Sequence, residues 1–165
     1  MSHAISALIL KGNFDLKIAK SYDLIGIGLD FELTMFPITH YYTACWRKKL
    51  DISGILPGEN PFNLLIFPCE LVVAHLMMKI SDRLEPIYAA IETDYFGGIG
   101  NQWALVYQGT QLADTNINQI SPALKFLGVK CQDGMDEFDT VGLAKYRSMP
   151  EYLDKYVDIA EQLGV

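Results

Sequence analysis

One stretch restricts the fold of this chain more than any other. Two strand-forming runs, Ile87 to Tyr95 and Gln102 to Tyr107, are separated by Phe96-Gly97-Gly98-Ile99-Gly100-Asn101. In the first run Ile87, Ala89 and Ile91 fall on one face and Tyr88, Glu92 and Asp94 on the other, the period-2 arrangement of a strand. Pro86 prevents a helix from running into it. The glycines between the runs supply the positive-φ conformations that a tight reversal needs. An antiparallel hairpin is predicted, and the remaining elements must supply its cover.

Those elements are of both kinds. Ala4 to Leu10 reads as a strand ended by Lys11-Gly12-Asn13, and Leu24 to Ile38 as a second strand region closed near Pro37. Within the latter, Leu29, Phe31, Leu33 and Met35 alternate with Asp30, Glu32 and Thr34. Thr39 is placed to cap a short helix through Tyr42, Trp46 and Leu50. The spacing of Val73, Leu76, Met77, Ile80 and Leu84 predicts a helix from about Cys69 to Leu84. Ser121-Pro122 opens another that ends at Gly128. The last is predicted from near Ser148 to Leu163, with Leu153, Tyr156, Val157 and Ala160 inward and Glu151 paired with Lys155. Residues 51–68 are rich in Gly and Pro, with a short strand expected at 63–67. There is no regular βαβ alternation. The expectation is therefore one α+β domain over residues 1–165, mainly an antiparallel sheet with helices packed on one face.

Composition narrows the functional classes. The 165 residues carry 13 basic and 20 acidic side chains, a net charge of −7, which disfavours nucleic acid as a partner. Five of those negative charges arise after residue 132, where eight acids meet Lys145, Arg147 and Lys155, and this acidity suits a basic partner. Half the residues are hydrophobic and mean hydropathy is +0.16, yet no apolar run reaches the ~18–20 residues of a membrane span. The N-terminal stretch lacks a basic region and a small-residue cleavage site, so a cytoplasmic protein without membrane association is expected.

Cys45, Cys69 and Cys131 form no CxxC pair and are expected to be buried thiols. His3, His40 and His75 are scattered without zinc spacing, so neither a metal nor a cofactor is expected. Asp133 to Asp139 lacks the order of a calcium loop and reads as a capped turn. No nucleophile elbow or His-Glu-x-x-His occurs. Binding is thus favoured over catalysis, and no catalytic residue is assigned. The candidate binding residues are Tyr95, Phe96, Gly97, Gly98, Gly100 and Gln102 in the glycine-rich hairpin, with the carboxylates Glu92 and Asp94 beside them. Those glycines admit two readings, a turn built for chain geometry or a contact loop for a partner.

The string Tyr95-Phe96-Gly97-Gly98-x-Gly100-x-Gln102, set between two strands, resembles a motif of small uncharacterised bacterial proteins, some of them immunity proteins of toxin systems. The likeness spans Ile87 to Tyr107 and carries no catalytic residues. It implies a protein that works by binding; together with the acidic charge, the leading expectation is a small intracellular immunity-type inhibitor that offers an acidic surface to a basic, toxin-like protein. The alternative is an enzyme of unknown class with its site near the Gly97–Gly100 hairpin and Glu92 and Asp94 as its acids.

Overall fold

The computed structural model describes residues 2–61 and 66–165. Its centre is a strand long enough to reach across the molecule. Ser2–Lys11 (β1) pairs antiparallel on one side with Ile87–Phe96 (β4) and on the other with the shorter Leu33–Pro37 (β3). Ile27–Leu29 (β2) borders β3, while Ile99–Gln108 (β5) and the two-residue Gln111–Leu112 (β6) extend the sheet past β4. The order is β2-β3-β1-β4-β5-β6, all antiparallel. The fold is α+β.

Helices cover both faces of this sheet, which corrects the expectation of cover on one face. Leu8, Leu10, Tyr88, Ala90, Leu105 and Tyr107 point toward His40–Leu50 (α2), Leu71–Ser81 (α3) and Lys155–Leu163 (α6). Ala7, Ile9, Ala89, Ile91, Ala104 and Val106 point the other way, onto Ile120, Ala123 and Leu124 of Ile120–Phe126 (α4). Ala7-Leu8-Ile9-Leu10 is therefore apolar without alternation because each successive side chain enters a different core. A six-residue helix, Leu16–Ser21 (α1), and a single turn, Glu137–Thr140 (α5), are the remaining α-helical segments among the described residues.

Local chemistry explains the element ends. Thr39 accepts a hydrogen bond from the Tyr42 N–H and caps α2 as expected, and Asp136 caps α5 the same way through the Asp139 N–H. The region from Leu24 to Ile38 is two strands, not one: Phe31 and Glu32 take φ of +64° and +60° and reverse the chain between β2 and β3. Helix α3 is shorter than predicted, with Cys69 before it and Asp82 in the left-handed conformation at its end. Leu84 lies beyond that stop and is exposed. The last helix begins later than predicted, after a 3-10 turn at Glu151–Leu153. Val157 is exposed, and Lys155 pairs with Asp23 at 2.8 Å. Tyr156 donates to the same Asp23 carboxylate and accepts from Trp46 Nε1, tying α6 to α2. Cys45 and Cys69 are buried, but Cys131 is exposed, because the loop after α4 leaves the core at Val129. The strand expected at 63–67 lies largely outside the described residues.

Candidate binding site at the far end of the hairpin

Strands β4 and β5 stay in register from Ile87↔Gln108 to Phe96↔Ile99, so the hairpin is longer than the two sequence runs and closes on Gly97-Gly98 alone. Both glycines have positive φ, +61° and +81°, as a two-residue turn of the mirror-image type requires. Gly100 has a separate reason to be glycine. A Cβ there would run into the Asp94 carbonyl oxygen across the ladder. Of the strands beyond the hairpin, only β1 reaches its far end, where Ser2, His3 and Ala4 pair with Phe96, Tyr95 and Asp94. At the tip, Phe96 is 80% exposed and its cross-strand partner Ile99 is 83% exposed. Two large apolar side chains thus stand in water on a short, fixed turn.

Side-chain alternation divides what lies behind the tip between the two sheet faces. On one face, Glu92 and Asp94 share a depression of about 390 Å³ with Ala4, Ser6 and Met149. Asp94 is exposed, but Glu92 is only 7% exposed. The two neighbouring carboxylates thus differ in exposure, because the loop carrying Asn60 covers Glu92. Its two oxygens accept from Ser6 Oγ at 3.2 Å and Asn60 Nδ2 at 3.0 Å. Burial pushes the Glu92 carboxyl above its usual range, and these two hydrogen bonds counter that only in part. Asn60 also donates to the Phe67 carbonyl, so one amide joins the loop to the carboxylate.

On the opposite face, Tyr95, Gly98 and Gln102 meet His3, Ser121, Asp136 and Phe138 around a cavity of about 490 Å³. His3 is held by both ring nitrogens: Nε2 donates to the Leu143 carbonyl at 3.0 Å, and Nδ1 lies 2.7 Å from Thr93 Oγ1. Its ring lies 5.2 Å from that of Phe138. Gln102 Oε1 accepts from the Ile120 N–H at the start of α4, so this side chain fixes the cavity wall. A third depression, of about 460 Å³, runs along β5 between Glu59 and Asn118.

The eight candidate residues therefore separate into four settings. Tyr95, Gly98 and Gln102 line one cavity; Glu92 and Asp94 lie on the other face; Phe96 forms the tip with Ile99; Gly97 and Gly100 shape the backbone. Ser6, Asn60, His3, Asp136 and Phe138 escape sequence reading because they converge from distant segments. Glu59, Glu92, Asp94 and Asp136 are the formally charged side chains lining the three depressions among the described residues, with no Lys or Arg. The acids after residue 132 do not form one surface. Asp136, Glu137 and Asp139 lie at α5 on one side of the sheet, while Asp154, Asp158 and Glu161 lie at α6 on the other.

Among the described residues no three His, Cys, Asp or Glu side chains gather to hold a metal ion, and no helix is long and apolar enough to cross a membrane. No protein-family pattern, curated protein or solved structure matches this chain.

Proposed function

We propose that this protein is a binding protein that docks the far end of its β4–β5 hairpin on a basic protein, in the manner of an immunity-type inhibitor. One observation carries the reading. The exposed pair Phe96 and Ile99 sits among depressions whose charged lining is wholly acidic. Exposed apolar side chains on a rigid support act as anchors once a partner removes them from water. Surrounding carboxylates favour a partner of opposite sign and speed its approach. The likeness of the Tyr95–Gln102 motif to immunity proteins points to the same class. The experiment is parallel capture from a bacterial lysate with the wild type and with Phe96→Ser/Ile99→Ser. The expected result is a basic protein held by the wild type and lost by the variant. An acidic partner, or one retained equally by both, contradicts the proposal.

A second reading rests on Glu92. Its buried carboxyl, pushed up toward the protonated form, lies two residues from the exposed Asp94 in one depression, an arrangement that divides acid and base roles in some hydrolases. Activity abolished by Glu92→Gln and by Asp94→Asn, yet untouched by Phe96→Ser/Ile99→Ser, would favour the enzyme.

A further inference from the structure

We infer that the cavity between the hairpin and α5 is a receptor for an arginine side chain of the basic partner, with Tyr95, Phe138 and His3 supplying ring faces and Asp136 the counter-charge. This rests on the proposed binding of a basic protein and names the group that enters. The cavity, at about 490 Å³, falls in the size range of small-molecule sites and is far larger than one water would need. Three of its seven lining residues carry aromatic rings, and Gly98, without a side chain, leaves its mouth open.

The orientation of the His3 ring is fixed from below. His3 cannot turn without giving up its hydrogen bonds to Leu143 and Thr93, and it packs against Phe138 at 5.2 Å with the planes 59° apart. Tyr95 lies across from His3 in the β1–β4 register, so it shares that sheet face. Ring faces carry negative potential and attract cations, and a planar guanidinium both stacks on them and pairs with a carboxylate. Asp136 Oδ1 is occupied by the Asp139 N–H at 2.8 Å, while the residue is exposed and its second oxygen is left for a ligand. Among the described residues no Lys or Arg lines the cavity to fill the role internally. A lysine would gain the charge attraction but not the stacking, so arginine is the better fit.

The test needs no identified partner. N-acetyl-arginine amide and its uncharged isostere, N-acetyl-citrulline amide, are titrated into the intact protein and followed by NMR. The arginine probe should saturate and shift the Tyr95, Phe138 and His3 resonances, with citrulline weaker by about tenfold or more. Asp136→Asn removes the charge but keeps an N-cap of equal quality, so it should weaken arginine about five- to tenfold without changing the melting temperature. Tyr95→Leu should weaken it by about the same factor. Equal binding of the two probes, shifts confined to another surface, or no saturation overturns the assignment. If the arginine probe fails while a basic partner still binds through Phe96 and Ile99, the cavity assignment falls and the binding proposal stands. If the probe binds as described but no basic protein is captured, the cavity assignment stands by itself.

Discussion

The near and far halves of the β4–β5 hairpin share one ladder but are built differently. From Tyr88↔Tyr107 to Glu92↔Trp103, every side chain of both strands is buried, and the Tyr88 and Tyr107 rings stack at 5.4 Å. Their hydroxyls donate to the Gly109 and Pro57 carbonyls, so burial leaves neither phenol unpaired. From Asp94↔Asn101 to Phe96↔Ile99, all six residues except Tyr95 are exposed. Backbone pairing runs through both halves, so pairing is not what separates them. Cover is: helices pack over the near half on both faces, whereas the far half has β1 along one edge, an open cavity between it and α4 and α5 on one face, and a glycine turn at its end. A strand pair held this way can keep apolar side chains in water without loss of shape, as a contact surface requires.

The largest expected difference is in stability. Ile91→Ala removes a fully buried side chain from the near half and should cost about 2–5 kcal/mol in chemical denaturation. A cost below ~1 kcal/mol would mean that the near half is not the core of the sheet.

Glu92 marks the boundary between the halves and should give a smaller, pH-dependent effect. Burial raises its folded-state pKa, so the folded protein holds this proton more tightly than the unfolded chain. Its favourable contribution is complete below the unfolded pKa of about 4.3 and is lost as pH rises through the folded value. Glu92→Gln can keep both neighbours, its oxygen toward Asn60 and its amide toward Ser6 Oγ. The variant's stability should therefore fall less than the wild type's as pH rises across that window in parallel melts. Parallel curves would place Glu92 in water with the far half.

Smallest of all should be the stability effect of Phe96→Ser/Ile99→Ser, about 0.5 kcal/mol or less for each side chain, because both are already exposed. Asp154→Lys/Asp158→Lys should be similarly mild in melts. It should also slow association less than Asp94→Lys, since these acids lie at the N-terminal end of α6 and Asp94 lies beside the tip.

Much of this architecture could be read from local sequence. The hairpin, the Thr39 cap and the Val73-Leu76-Met77-Ile80 stripe each depend on neighbours within a few turns or one reversal. What failed was decided farther away. The Leu29-Phe31-Leu33 alternation looks continuous, yet Phe31 and Glu32 reverse the chain so that β2 can fold back along β3. Cover on both faces was signalled by the unbroken Ala7–Leu10 apolar run, whose meaning depends on where α4 arrives more than a hundred residues later. The site divides similarly. Tyr95, Gly98 and Gln102 stand close in sequence, but the cavity they line is completed by His3 and Phe138, which only the fold brings together.

If the far half of the hairpin is an acidic docking surface, as proposed, the association rate of the captured partner across a salt series reports it most directly. Between about 0.01 and 0.15 M ionic strength the Debye length falls from ~30 to ~8 Å. The on-rate should fall steeply over that range, and Asp94→Lys should flatten the dependence while leaving the fold intact. An on-rate indifferent to salt, or one that Asp94→Lys leaves unchanged, would contradict the account.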